Sequence, residues 1–600
     1  MTPQATCEPF EKRPHRAATG QRIEVFLIKP TKYDDDGYLL RHFRSVLPSN
    51  TLATLHALTE DVARRGVLGD VVLRTHLCDE SVQRLPERMI RKLARQRDTV
   101  VVVCLVGAQT SQFPRTTDLA RRFRDLGIAV IIGGFHVSGT LALTEEVPAH
   151  LQELMAAGVT LVKGEVEETW GGILRDAAAG SLAPFYDSIN AKPNLSRAPM
   201  PRLRPEVLRH FVYRHFGTVD TGRGCPFTCS FCTIINVQGR TMRFRDAAAI
   251  AEAIQANYRE TGTYHYFFTD DNFARSRNWR AILEAIVRLR EEVGIPVRFL
   301  MQVDVFAHRV RDFVELARRA GCFQVFIGLE SLNPDSLVDA HKRQNKVADY
   351  AAMIDAWHAA GVLTHIGYII GFAHDTPESV RDNLRVLKED VRPDLAAFFM
   401  LTPLPGSADH LAMVRAGTPM DADMNRYDTF HPVVDHPHMS RAEWSALYRE
   451  AWRSFYTPDH MRRQLHELSG RQRITLLQMY LWYKAAAFVE GCHPMMTGFG
   501  RIKPRTDRRP GCAVDGRLRH ARRRVVEVCA TVRGYASVLA ELKQLWADSL
   551  GSDHCSTPLT AWQGFLSDMF GAGTVVEPPD ATAPCDPCGV VLASCPVDEG

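Results

Sequence analysis

Short apolar, β-branched runs alternate with longer stretches whose apolar residues recur every three or four positions, and the alternation begins at Arg22. Arg22–Ile28, Val71–Arg74, Thr99–Val106, Ala129–Gly134 and Thr160–Gly164 have the length and composition of buried strands. Leu52–Arg65 and Thr117–Leu126 carry the period of amphipathic helices. Strands and helices taking turns in this way predict an α/β domain, doubly wound about a parallel sheet, over residues 21–181. Residues 182–205 hold five prolines and little periodicity, which predicts a linker.

A second α/β series starts at Gly217–Thr221 and spans residues 206–410. Its strands read as Tyr264–Thr269, Val297–Val303, Phe323–Leu329, Thr364–Ile370 and Leu395–Leu401, with helices such as Trp279–Glu292 and Ser379–Glu389 between them. Six βα units are too few to close an eight-fold barrel, so the pattern predicts an open, partial (β/α)6 barrel of TIM type. Its chemistry is expected at the carboxyl ends of the strands.

Beyond Pro403–Gly406 the sequence becomes rich in Trp and Tyr at helical spacing, as in Glu443–Tyr456, which predicts a packed helical cap over 411–500. Residues 501–575 read as a basic helical extension opening on Arg508, Arg509, Arg517, Arg519, Arg522, Arg523 and Arg524. A solvated linker and helix face is expected there, with contact to an acidic partner as the other reading. Residues 1–20 form an N-terminal tail, and from 576 to 600 Pro, Asp, Ala and Gly predict disorder around Cys585, Cys588 and Cys595. Those last thiols make an incomplete metal site.

Six hundred residues, 45% hydrophobic and 24% charged with a formal net charge of +4, describe a globular chain of several folded units. The charge implies no nucleic-acid partner. The apolar runs fall far short of the roughly 20 residues that span a bilayer, and no secretory signal opens the chain, so a cytoplasmic protein with no membrane partner is expected. Fourteen cysteines in such a chain argue for metal ligation or buried thiols over a disulfide framework.

Three of those cysteines stand apart. Cys225, Cys229 and Cys232 follow a strand on one tight loop, where Gly222 and Gly224 permit the turn. A C-x3-C-x2-C spacing can hold three corners of a cubane cluster and leave the fourth iron open. Zinc would require a fourth Cys or His nearby, and none follows before His265.

The loop resembles that of the radical S-adenosylmethionine (SAM) superfamily at Cys225, Cys229, Phe231 and Cys232. The resemblance implies a [4Fe-4S] cluster whose free iron chelates SAM and whose electron cleaves it to a 5′-deoxyadenosyl radical. It further implies SAM contacts at Asp270 and Asp271, where Thr269–Asn272 replaces the family's usual Gly-Gly-Glu, and at Glu330 and Ser331, Gly371, Gln302 and the neighbouring Asp304. Residues 21–410 are similar to the subfamily in which a Rossmann-like, cobalamin-binding-type domain precedes the barrel. Gln109, Thr110, Ser111, Gly133, Gly134 and His136 at strand ends are the implied corrinoid contacts, and Lys163–Glu167 closes the domain as in that subfamily. The Asp-x-His-x-x-Gly motif that gives many cobalamin proteins a cobalt ligand is absent; His76 and His136 do not reproduce it.

These features imply a radical SAM enzyme acting on a small molecule or peptide, with cobalamin-dependent methyl transfer as the leading outcome and natural-product biosynthesis as its setting. The alternatives are a non-methylating reaction, such as cyclisation, oxidation or transfer of an aminocarboxypropyl fragment, and a non-catalytic cobalamin or iron-sulfur sensor. An electron donor such as flavodoxin or ferredoxin is implied as partner.

Overall fold

The computed structural model describes residues 21–550, apart from 145 and 214; the tails expected at 1–20 and 576–600, and residues 551–575 of the extension, lie outside the described residues. The first sheet contains β1 (Arg22–Lys29), β2 (Val72–Asp79), β3 (Thr99–Leu105), β4 (Ala129–Gly133), β5 (Thr160–Gly164) and β6 (Phe185–Ser188). All pairings are parallel, in the order β2-β1-β3-β4-β5-β6. Successive residues of β1 and β3 go to opposite sides: Val25, Leu27, Val102 and Cys104 enter one apolar core, and Phe26, Ile28, Val103 and Leu105 enter another. Burial on both faces is why these strands read as unbroken apolar runs.

β6 lies inside the segment whose prolines predict a linker. Phe185 and Tyr186 pair beside Leu161 and Val162, so the sheet extends by one strand while the prolines stay outside it. Propensity lost there to the chance of bonding an open sheet edge.

The second sheet runs β7 (Phe216–Val219), β8 (His265–Phe268), β9 (Arg298–Val303), β10 (Cys322–Glu330), β11 (Leu363–Ile370) and β12 (Leu395–Met400). Neighbours in sequence are neighbours in space, all parallel, and β7 and β12 form the two open edges. Helices Arg441–Phe455, Pro458–Glu467 and Gly470–Lys484 cap this sheet. Buried Trp444 donates its indole N–H to the Ile370 carbonyl (3.0 Å) and Tyr456 donates to the Ala396 carbonyl (2.6 Å), tying the cap to β11 and β12.

The arginine-rich segment is only partly solvated. Arg509 binds Asp423 at 2.6 and 2.9 Å, Arg523 pairs with Asp36 and Glu527, and Arg508 lies 4.6 Å from the Tyr38 ring. The acidic partners of Arg509 and Arg523 are therefore in the chain itself: Asp423, Glu527 and, in the loop after β1, Asp36. Arg517, Arg519 and Arg522 remain exposed on the helix Arg517–Leu550.

His431 fastens the same loop, with Nδ1 2.9 Å from Asp428 and Nε2 3.3 Å from Asp35. Burial alone would lower its pKa, but the two carboxylates override it and raise the value to about 9. Because the folded pKa exceeds the unfolded one, its stabilisation is complete below about pH 6.5 and is lost as pH rises through 9. His431→Gln is expected to cost on the order of 2 kcal/mol at pH 6 and little above pH 10, read from thermal denaturation at both pH values. An equal loss at both would contradict this.

Candidate active site

The cysteine loop lies immediately beyond β7. Gly222–Arg223 pairs antiparallel with Arg243–Phe244, the Cys225 N–H donates to the Gly239 carbonyl (3.2 Å), and the Ser230 N–H donates to the Ala340 carbonyl (3.1 Å). These bonds hold Cys225, Cys229 and Cys232 as free, partly exposed thiols. Burial pushes all three thiol pKa values up, that of Cys232 to about 12, so metal loading must displace protons. Among the described residues no three His, Cys, Asp or Glu side chains converge on a single metal ion.

Lys342, which the sequence reading passed over, is the cation beside this loop. It is buried, pairs with Glu330, and sits 5.8 Å from the Phe231 ring. Glu330 itself has φ +69°, at a register shift between β10 and β11. Asn345 Nδ2, donating to the Gly328 and Leu329 carbonyls (3.1 and 2.8 Å), and the Tyr350 hydroxyl, donating to the Leu329 carbonyl (3.1 Å), hold the strained backbone. Strain held in place by several bonds at a strand end marks a functional position. Its only sequence signal was Glu330; the lysine twelve residues on carries none. Glu330→Gln is expected to strip Lys342 of its counter-charge and destabilise the fold by about 3 kcal/mol. Glu330→Gln with Lys342→Met should recover most of that loss in the same denaturation measurement.

The remaining expected SAM contacts divide. Asp271 lines the cavity described below, and burial raises its pKa to about 7. Asp270 turns away, accepting from the Thr221 N–H (2.6 Å) and hydroxyl (2.7 Å), with burial raising its pKa to about 8. It braces the loop, and the Gln302 amide donates to its carbonyl (3.0 Å). Asp304 is consumed by Arg275 at 2.5 and 2.6 Å. Ser331 is buried and accepts from the Asn333 N–H (3.0 Å), a turn bond. Gly371 adopts φ +112°, and a Cβ there would stand 2.0 Å from the Trp444 ring, so its smallness serves the cap. Phe231 packs with Ile369, Phe372 and Phe399 instead, giving the apolar wall beside the thiols.

A cavity of about 300 Å³ opens above the carboxyl ends of β3, β4 and β5, against the helix Asn50–Arg64. Leu55, Leu58, Cys104, Ile131, Val162 and Trp170 make its apolar depth. Asp220, Arg223, Glu165, Glu167 and Asp271 make its charged mouth, which the barrel and the first domain share. Arg223, two residues before Cys225, binds Glu167 at 2.6 Å, Glu165 at 2.7 Å and Asp220 at 2.8 Å. Burial would raise the Asp220 pKa, but Arg223 and Arg245 override it and hold it at about 2.

Of the expected corrinoid contacts, only Gly133 and Gly134 line this cavity. Gly134 has φ +138° and a Cβ would approach the Ala108 backbone to 2.3 Å, so this glycine is required by the chain, not by a ligand. Gln109 is exposed, with its N–H donating to the Gln112 amide oxygen (3.1 Å), while Thr110 and Ser111 are buried outside the cavity wall. His136 contacts Thr110 Oγ1 (3.3 Å) and His150 Nε2 (3.1 Å), its ring tilted against that of Phe113. The helix after β4 turns His136 into the interior of the domain, the short turn Thr110–Gln112 after β3 buries Thr110 and Ser111, and Gln109 stays on the surface.

Residues 219–387 match the Radical SAM superfamily. Over that segment the chain is similar to that superfamily. Cofactors of a radical SAM domain are a [4Fe-4S] cluster and SAM, and Cys225, Cys229 and Cys232 lie within the matched segment. Bacteriochlorophyllide d C-12(1)-methyltransferase of Chlorobaculum tepidum is 27% identical over 342 residues, 56% of this chain and 70% of the relative. Hopanoid C-2 methylase of Rhodopseudomonas palustris is 21% identical over 431 residues, 71% of this chain and 75% of the relative. The same fold occurs in the cobalamin-dependent radical enzyme OxsB, solved with aqua-cobalamin and SAM (TM-score 0.54, 12% identity, 92% of this chain and 84% of that one). It occurs also in the methyltransferase TsrM of Kitasatospora setae, solved with cobalamin and a [4Fe-4S] cluster (TM-score 0.52, 17% identity, 76% and 94%). No described helix is long and apolar enough to cross a membrane.

Proposed function

We propose that this radical SAM enzyme transfers a methyl group to an unreactive carbon or phosphorus of a small molecule, with cobalamin seated over the first sheet. The observation that carries the reading is the shared mouth: Gly222 and Arg223 of the cysteine loop line the same cavity as Gly107, Gly133 and Gly164 at the strand ends. Cofactors held on either side of that mouth would supply, between them, the electron, the radical and the methyl carrier.

The chain's own residues then have separable tasks. Cys225, Cys229 and Cys232 hold the cluster, Lys342 and Glu330 fix the charge beside it, and the Phe231 cluster keeps water from that wall. Arg223, Glu165 and Glu167 clasp the loop to the first domain, and the apolar depth around Trp170 takes the part of the corrinoid that leaves water. Among the described residues no histidine lines the cavity. Similarity to methyltransferases in sequence supports methyl transfer over the other SAM outcomes. A flavodoxin or ferredoxin is the fitting class of electron donor.

Anaerobic protein loaded with iron, sulfide, SAM and hydroxocobalamin, then reduced, tests the reading through its products. With a competent substrate, both 5′-deoxyadenosine and S-adenosylhomocysteine are expected by mass spectrometry. 5′-Deoxyadenosine alone would favour a non-methylating reaction, and methylthioadenosine alone the aminocarboxypropyl transfer.

A further inference from the structure

Buried polar atoms almost always have a hydrogen-bond partner, so an unpartnered group on a cavity wall identifies what the missing ligand must offer. Among the residues lining the cavity over the first sheet, three side-chain atoms are buried without a partner: Asn50 Oδ1, Thr54 Oγ1 and Glu167 Oε2. Their orientation is set by what their other atoms do. Asn50 Nδ2 donates to Asp220 (3.3 Å), leaving its oxygen free, and Arg223 occupies Glu167 Oε1 at 2.6 Å, leaving Oε2 free. Thr54 lies one helical turn after Asn50 and so shares its face. Two of the three atoms can only accept, the third is a hydroxyl that can accept, and none of them is an obligate donor. Of the other carboxylates at the mouth, Glu165 and Asp220 are already engaged by arginines.

We infer that Asn50, Thr54 and Glu167 are the corrinoid-recognising residues of this chain, accepting hydrogen bonds from the primary amides on the rim of the corrin ring. The inference rests on the reading of this cavity as the cobalamin site and adds what the cavity selects for: a corrinoid whose side chains donate. Esters and carboxylates in place of the amides leave the three acceptors unsatisfied, and a carboxylate adds repulsion from Glu167. The same residues cost stability while the cavity is empty, because each carries a desolvated group with nothing to bond.

That gives opposite signs for one substitution, which a purely structural role would not produce. Thr54→Val keeps the volume and deletes only an acceptor. It is expected to leave the melting temperature of the corrinoid-free protein unchanged or raise it, and to weaken binding of dicyanocobinamide about fivefold, read from the corrin absorption band without any turnover. Asn50→Leu also deletes the amide that donates to Asp220, so it is expected to weaken binding by a similar factor while lowering the melting temperature. Wild-type protein should bind dicyanocobinamide at least about tenfold tighter than cobyrinic acid heptamethyl ester, which has the same ring with esters for amides. Both variants should narrow that ratio. Equal affinity for amide and ester, or variants that bind as tightly as wild type, would overturn the inference and leave the corrinoid site standing. Wild-type protein that binds neither compound would instead remove the corrinoid reading, and the inference with it.

Discussion

Replacing Cys225, Cys229 and Cys232 together with alanine should reduce the iron of the anaerobically reconstituted protein from about four atoms per chain to none. The loop does not depend on these thiols for its shape. It is tied down by the Cys225 and Ser230 backbone bonds, by the Gly222–Arg223 pairing with Arg243–Phe244, and by Arg223 on the first domain. Burial of three unligated thiols with raised pKa values gives alanine no charge to replace, so the melting temperature of the metal-free variant should stay within a few degrees of wild type. Iron analysis and the visible absorption of the cluster are the readouts. A folded triple variant that still carries four irons would place the cluster elsewhere.

The largest effect on stability is expected at Arg223. Arg223→Met deletes the cation that Glu165, Glu167 and Asp220 share, and leaves carboxylates at a mouth that is otherwise buried. Breaking one side of a buried ion-pair network costs about 3–5 kcal/mol, because the desolvated partners lose their compensation. Arg243 still reaches Glu165, and Arg245 still reaches Asp220, so Glu167 bears most of the loss. Arg223→Met with Glu167→Met should therefore recover more stability than Arg223→Met with Glu165→Met. Denaturant titration of the three variants checks the order; the reverse order would mean that the clasp runs through Glu165.

What the sequence made legible follows from how local each signal is. Strands such as β3 and β11 were readable because each is an apolar run buried on two faces, and the cysteine trio because a spacing is a local fact. β6 was hidden because four residues beside prolines gain strand character only from the neighbouring edge. The site residues fared according to the same rule. Asp270 and Asp271 are adjacent in sequence, yet one braces Thr221 and the other faces the cavity, a difference created by the turn after β8. Gly371 carried the right glycine for a different reason, room for Trp444 from a helix more than seventy residues away. Lys342, Asn50 and Thr54 had no motif at all; their roles arise from a buried pair and from a helix face laid against a cavity. His136 shows the opposite error, a chemically suggestive residue at a strand end whose ring is committed to Thr110 and His150.

The most direct test of a cluster and a corrinoid facing one mouth is metal analysis of a single preparation. Protein purified without oxygen, reconstituted with iron, sulfide and hydroxocobalamin, and freed of unbound cofactor should contain about four irons and one cobalt per chain, with the absorption of both. Four irons without cobalt, in protein whose fold and cluster are intact, would contradict the account of the first domain and leave only the radical SAM barrel.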